Sequence, residues 1–350
     1  MYNKYKKCVG IIFGGKSNEH SISIESARTI HESLNSNQNK KKYKTKVFYI
    51  NKHGHWFPHE ESIQILQQTN IESYNSKILP SKLNFLDQID CEDIDIWFPV
   101  LHGKNGEDGT IQGLLNLTQK PYVSSGILGS SLGMDKIACK LLFSQLKIPQ
   151  VNYFPIQNFD LSNEFYLQKT KDEIMKKLTF PLFVKPANSG SSLGISKVKN
   201  EKDLVPALKK AWVIDSRIVV EEGLQVRELE CGVIGNANLY ASEVGEVNYS
   251  SEWYDYDSKY KSPNRFVIPT KISPTLKKKI QEIAIKSCYA LNINIFARVD
   301  FFLEEVTSKV YLNEINTIPG FTKKSMFPLL WNKSGLEIDQ LVAKIIEYSF

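Results

Sequence analysis

Apolar positions fall into two periods along the chain, and their order predicts the architecture. A continuous apolar run at Val9–Phe13 ends in Gly14 and Gly15, which predicts a buried strand entering a tight turn. Ser21–Leu34 has apolar residues at helical spacing and predicts a helix with a serine cap. A second apolar run, Ile94–Val100, precedes a glycine-rich loop and the helical spacing of Thr110–Leu117. This alternation from Val9 to Tyr122 predicts an open parallel α/β layer. After Ser124 the order changes. Lys136–Leu146 reads as a helix stopped by Pro149, and Pro181–Val198 reads as a hairpin around a Gly/Ser stretch. A helix ending over Ala207–Val213 leads into a strand at Ile218. The rest mixes antiparallel strands with helices over Thr275–Leu291 and Leu336–Tyr348, while Asn35–Lys44 reads as a polar loop.

The densest chemistry lies in two strand segments, Phe296–Leu303 and Val310–Met326. Strand residues two apart share a face, so Glu314 and Asn316 put two oxygen-bearing side chains on one side of an otherwise apolar strand. If Arg298–Leu303 is the neighbouring strand of a hairpin, Asp300 joins them. Carboxylate, carboxylate and amide oxygens form a hard set suited to Mg²⁺, whereas unpaired carboxylates at such a place would be costly.

The string Arg298-x-Asp300 followed by Asn313-Glu-Ile-Asn-Thr-Ile-Pro-Gly-Phe-Thr-Lys-Lys-Ser-Met326 resembles the metal-binding segment of the D-alanine–D-alanine ligases, members of the ATP-grasp superfamily. Gly14-Gly-Lys-Ser-Asn-Glu19-His20 is similar to the family's first-substrate segment, in which the residue matching Glu19 meets an ammonium group. From the residues alone, the N–H groups at that helix start would favour an anion, and Glu19 a cation. The same region formally fits a P-loop through Gly10, Gly15, Lys16 and Ser17, but its variable positions include Ile11, Ile12 and Phe13 of the strand. His102, in Leu101–Gly113, reads as a loop hydrogen-bonder, and the resemblance implies a place beside the first substrate.

Lys185 ends an apolar strand directly before Asn188-Ser-Gly-Ser191-Ser192-Leu-Gly194, a stretch whose N–H and hydroxyl groups can wrap phosphates. The resemblance implies that Lys136 and Lys185 meet the nucleotide, with Ser192 beside them, and that Ser191 braces the active-site loop. Around Ile218–Cys231 it implies that Leu224 lines adenine, that Glu221 accepts from the adenine amino group and that Glu228 meets the ribose. Glu252–Tyr260 is an aromatic, charged loop read as a lid. There Tyr254 would face substrate, Lys259 the γ-phosphate, and Tyr260 would hydrogen-bond toward Ser191 and Glu19. This loop favours an amine as the second substrate. Arg298 and the Gly320 N–H would stabilise an oxyanion, and Ser325 with Met326 would hold the second carboxylate.

What the resemblance implies overall is a mixed α/β and α+β chain with the ATP-grasp fold. An N-terminal α/β domain would span 1–123, a central α+β domain 124–222 and a C-terminal α+β domain 223–350, the last two clasping ATP. Two Mg²⁺ ions, replaceable by Mn²⁺, would be held by Asp300, Glu314 and Asn316, with D-alanine as substrate and a homodimer as the assembly.

Composition changes this picture little. With 350 residues, 42% hydrophobic and 23% charged, the chain reads as soluble, globular and too long for one core. No apolar run approaches a membrane span and no signal peptide is visible, so a cytoplasmic location is expected. Cys8, Cys91, Cys139, Cys231 and Cys288 are widely spaced without a paired motif, which predicts free thiols. The formal charge of +6 sits partly in short runs such as Lys40–Lys42 and Lys277–Lys279, which read as solvated faces and not as a nucleic-acid surface. His53, His55 and His59 lack metal-ligand spacing and suggest a surface hairpin. Another ATP-grasp ligase and a non-catalytic nucleotide sensor remain as rivals.

Overall fold

The computed structural model describes residues 5–68, 92–157, 163–248 and 266–350. Its first layer contains β1 (Lys7–Gly14), α1 (His20–Leu34), β2 (Tyr43–Ile50), β3 (Trp56–Phe57), α2 (His59–Gln67), β4 (Ile96–Val100) and α3 (Thr110–Leu117). The strand order is β3-β2-β1-β4, with β1 parallel to both β2 and β4 and only the short β3 antiparallel. Every residue of β4 is buried, and a parallel bridge from Trp97 to Tyr122 continues the sheet beyond it. Gly10 explains why the P-loop pattern is accidental: a Cβ there would lie 2.6 Å from the Trp97 ring. That glycine serves close packing between β1 and β4.

Helix α1 starts one residue before the predicted segment, with Glu19 in the cap position and no side-chain cap. The expected serine cap is absent because the helix begins at His20, which puts Ser21 inside its first turn. Ser23 Oγ accepts from the Gly14 N–H and donates to the Val100 carbonyl, tying α1 to β1 and β4. The predicted polar loop at 35–44 is shorter than expected. Tyr43 already belongs to β2, and buried Asn39 donates to the Ser33 and Asp339 carbonyls.

Helices α4 (Ile127–Met134) and α5 (Lys136–Gln145) lead to the second sheet. It contains β5 (Tyr153–Ile156), α6 (Glu164–Lys177), β6 (Leu182–Pro186), β7 (Ser196–Val198), α7 (Leu204–Trp212) and β8 (Ile218–Glu222), with strand order β5-β8-β6-β7. The expected hairpin around the Gly/Ser stretch is β6–β7. The third sheet follows as β9 (Arg227–Gly235), β10 (Leu239–Val247), β11 (Phe266–Val267), α8 (Pro274–Ala290), β12 (Ile295–Glu304) and β13 (Lys309–Asn316), in order β11-β10-β9-β12-β13. Helices α9 (Met326–Lys333) and α10 (Ile338–Tyr348) close the chain.

The C-terminal helices pack back on the first layer: Phe327, Trp331, Leu341 and Ile345 share one core with Ile11, Phe13 and Ile30. The buried Phe296, Phe321 and Phe327 stack within 5.7–6.3 Å of one another, and Phe98 of β4 joins them. Through these contacts the first layer is registered against the segment 316–326. Cys8, Cys139, Cys231 and Cys288 are buried free thiols, as expected, and Cys91 lies outside the described residues.

Candidate active site

A cavity of about 470 Å³ opens between the second and third sheets. Lys185 of β6 reaches its wall, and its ammonium lies 2.7 Å from Glu221 Oε2 on β8. Glu221 Oε1 in turn lies 2.9 Å from the ammonium of Lys140 on α5. Burial pushes the Glu221 carboxyl up, but the two lysines outweigh it and hold it near about 2. Burial pulls Lys185 down while Glu221 raises it, and the net shift is upward. The Glu221 carboxylate, expected to accept from an adenine amino group, is therefore occupied first as counter-ion to two lysines. Leu224 and Glu228 line the cavity, on and after the connector between β8 and β9.

The Gly/Ser loop closes one end. Ser191 and Ser192 adopt φ of 50° and 57°, and Gly194 has φ of 76°. A Cβ on Gly194 would lie 2.3 Å from Ile214 Cδ1. Side chains in left-handed backbone carry strain that functional loops commonly hold. The Ser191 hydroxyl is buried without a hydrogen-bond partner among the described residues. Lys136 donates to the Ser189 carbonyl at 2.6 Å and sits 3.6 Å from Glu314, so it joins this loop to β13.

The predicted hairpin forms from β12 and β13, with Asp300 opposite Glu314 and Arg298 opposite Asn316. A register shift after Asp300 pairs Phe301 with Leu312, which leaves Asn313 as the extra residue of a bulge lining the cavity. Arg298 grips Asp300 with two hydrogen bonds of 2.8 Å and reaches Glu230 at 2.9 Å. Asn316 donates to Asp300 at 3.0 Å. The guanidinium expected to face an oxyanion is thus held in an acidic pair. Two carboxylates and an amide oxygen fit a magnesium site that takes its remaining ligands from water and phosphate. Among the described residues the cavity lining carries six carboxylates against four cationic side chains, a balance that favours a polyphosphate accompanied by cations.

The opposite end is built from α1, the loop 102–109 and the segment 316–326. A Cβ on Gly103 would lie 3.1 Å from Glu19 Oε2, and one on Gly190 would lie 3.7 Å from the same atom. Glu19 thereby stands between the first layer and the Gly/Ser loop. His102 Nδ1 donates to the Ile318 carbonyl at 2.8 Å, which leaves Nε2 to accept from Ser26 Oγ at 3.3 Å. Ser26 Oγ accepts from the Phe321 N–H at 3.0 Å. Burial lowers the His102 pKa, so its neutral form carries this chain of bonds. Gly320 packs closely on Ser325, whose Oγ would lie 3.1 Å from a Cβ there, and Ser325 accepts from the Thr322 N–H just before α9, which begins with buried Met326.

The sequence motifs do not mark Glu107, Ser26 or Lys140 as site residues. Glu107 Oε2 accepts from the Gly103 N–H at 3.0 Å, and burial together with Glu19 raises its pKa to about 8. A signal existed for two of them. Ser23 and Ser26 are polar at i and i+3 on the buried face of α1, and Lys140 follows Lys136 by one helical turn. Glu107 had none, being one polar residue among several in a loop. Tyr254, Lys259 and Tyr260 lie outside the described residues. His53, His55 and His59 form no metal cluster among the described residues: His59 Nδ1 accepts from the Val47 N–H, and the β2–β3 hairpin carries the others.

A nucleotide-sized cleft between two sheets, lysines on its wall, a strained Gly/Ser loop and paired acidic positions at the third sheet's edge define an ATP-grasp enzyme. Profiles described as D-ala D-ala ligase N-terminus and C-terminus match residues 8–125 and 142–347. A D-alanine--D-alanine ligase of Prochlorococcus marinus subsp. pastoris is 58% identical over 352 residues, covering 100% of this chain and 99% of its own. Among solved structures, the VanG D-Ala:D-Ser ligase from Enterococcus faecalis superposes with TM-score 0.84 at 32% identity, covering 99% of this chain and 100% of its own. The D-alanine-D-alanine ligase from Coxiella burnetii gives 0.80 at 33%, covering 98% and 95%. The chain belongs to the D-alanine–D-alanine ligase family.

Proposed function

We propose that the protein joins two D-alanines at the expense of ATP, giving D-alanyl-D-alanine, ADP and phosphate for peptidoglycan precursors. The observation that carries this reading is the position of Glu19, beside both the Gly103 loop and the Gly/Ser loop, so that an amino acid held by its ammonium presents its carboxylate toward the nucleotide cleft. In the first step a carboxylate oxygen of the first D-alanine attacks the γ-phosphorus and ADP leaves, forming D-alanyl phosphate. In the second, the amine of the other D-alanine attacks the carbonyl carbon and phosphate departs.

Lys136, Lys185 and, from the lid, Lys259 oppose phosphate charge, with Ser191 and Ser192 in the cradling loop and Leu224, Glu221 and Glu228 around the nucleoside. Asp300, Glu314 and Asn316 would hold divalent metal, proposed as two magnesium ions with manganese as a substitute, which when bound neutralises the transferring phosphoryl group. Arg298 and the Gly320 N–H oppose charge on the tetrahedral oxygen, and each such donor is typically worth several kcal/mol. Asp300 holds the Arg298 guanidinium in one orientation through two parallel hydrogen bonds, which a point-charge ammonium could not do. His102 fixes the segment before Gly320, while Ser325 and Met326 hold the second carboxylate and Tyr254 and Tyr260 close the lid.

The division at 1–123, 124–222 and 223–350 assigns one wall of this site to each part. Cytoplasmic action as a homodimer completes the proposal. No helix among the described residues is long and apolar enough to cross a membrane.

The test is ADP release with a panel of D- and L-amino acids, D-serine and D-lactate, with identification of the product. Release that depends on D-alanine and yields the dipeptide supports the reading. Release without amino acid, or equal use of D-lactate at neutral pH, overturns it.

A further inference from the structure

Lys140 is 2% exposed and does not line the cavity, yet its ammonium lies 2.9 Å from the carboxylate that pairs with Lys185. It also sits 5.1 Å from the centre of the Tyr153 ring, on the strand paired with Glu221. It makes no hydrogen bond to another group among the described residues. A buried ammonium is costly, and an apolar side chain of the same length would pack α5 against β8 without that cost. Two lysines here share one carboxylate, so the trio keeps a surplus positive charge. Only Lys185 and Glu221 of the three face the cleft.

We infer that Lys140 is a positioning residue for nucleotide binding, acting from behind the wall by satisfying Glu221 so that the Lys185 charge stays available to ATP. The inference rests on the ATP reading above. Without Lys140, Glu221 and Lys185 form a closed one-to-one pair and the wall becomes neutral beneath a lining already rich in carboxylates. Removing Glu221 at the same time returns the surplus charge.

The experiment measures ATP binding by calorimetry with Mg²⁺ present, and the KM values for ATP and D-alanine, in the full chain, in Lys140→Met and in Lys140→Met/Glu221→Gln. Lys140→Met is expected to weaken ATP binding by about tenfold or more, the effect of removing a unit charge a few ångström away at an effective dielectric of about 20. The D-alanine KM should stay within about twofold, because uniform loss at one subsite does not alter the other. The double variant should bind ATP more tightly than Lys140→Met, because the Lys185 charge is again uncompensated, though it lacks the Glu221 carboxylate beside the nucleoside.

A merely structural lysine gives another pattern. Unchanged ATP affinity in Lys140→Met, or a double variant weaker than the single one, overturns the inference. If Lys140→Met does not fold, Glu221→Gln is measured beside the double variant: equal ATP affinity in the two supports the inference, since Lys140 then has no carboxylate to act through, and a tenfold weaker double variant sinks it. Failure of the wild type to bind ATP would instead remove the reading beneath it.

Discussion

The two ends of the site bury polar groups by opposite means. On the nucleotide side, charges are kept and matched: Lys140 and Lys185 share Glu221, and Arg298 spans Asp300 and Glu230. On the amino-acid side, charges are suppressed. Burial lowers the pKa of His102 and of His20 and raises that of Glu107, and the bonds run through backbone carbonyls, N–H groups and Ser26. The difference follows from the ligands proposed for each end. A polyphosphate and its metal need fixed charges in place beforehand, because reorienting them during reaction would cost energy. An amino acid needs one carboxylate, Glu19, in a frame that does not compete with it.

Substitutions can break this contrast, beginning with the strongest. Glu314→Gln changes charge but hardly volume at a half-exposed position, so the fold should persist while turnover falls by about a hundredfold to a thousandfold, the scale for removing a group that acts on transition-state charge. Wild-type-like turnover at saturating Mg²⁺ would remove Glu314 from the metal site.

Arg298→Lys tests whether the paired guanidinium also serves chemistry. A lysine cannot hold Asp300 with two parallel bonds and still reach Glu230. Dipeptide formation should drop by about tenfold to a hundredfold, the loss of roughly 1.5–3 kcal/mol expected for charge-assisted bonds. Product formation equal to wild type, with only the thermal midpoint lowered, would make Arg298 a structural residue.

Glu107 tests the neutral side. Its folded pKa of about 8 exceeds the ordinary 4.5, so the folded chain binds the proton more tightly and stability is fully present below about 4.5 and lost as pH rises through about 8. Thermal midpoints without Mg²⁺ should therefore fall between pH 5 and pH 8 more steeply for wild type than for Glu107→Gln, apart from background titration shared by both. Parallel curves would mean that Glu107 is ionised throughout.

The smallest effect concerns Tyr260, outside the described residues. If it completes the buried Ser191 hydroxyl, Tyr260→Phe loses about one hydrogen bond, roughly 0.5–1.5 kcal/mol. ATP binding should survive, and more ATP should be hydrolysed per dipeptide formed. Unchanged coupling would separate Tyr260 from the site.

Much of the frame was legible because it rests on local periodicity. Alternation along β13 placed Glu314 and Asn316 on one face, and the apolar run of β12 predicted its partner strand before any pairing was seen. Helices α3 and α5 and the β6–β7 hairpin were legible from spacing and from glycine and proline. Even the rejected P-loop could be read, since residues 11–13 could not be both strand and cradle.

The sequence by itself determined which residues alternate, where strands give way to loops and which oxygen-bearing side chains share a strand face. Only the tertiary structure decided how those groups are charged and joined. Lys140 meets Glu221 across 81 positions, and Ser26 meets Phe321 across 295. The Asn313 bulge and the near-neutral Glu107 likewise depend on which surfaces exclude water. Periodicity acts between neighbours in the chain, whereas burial and shared charge act between neighbours in space, and only the packed interior supplies those.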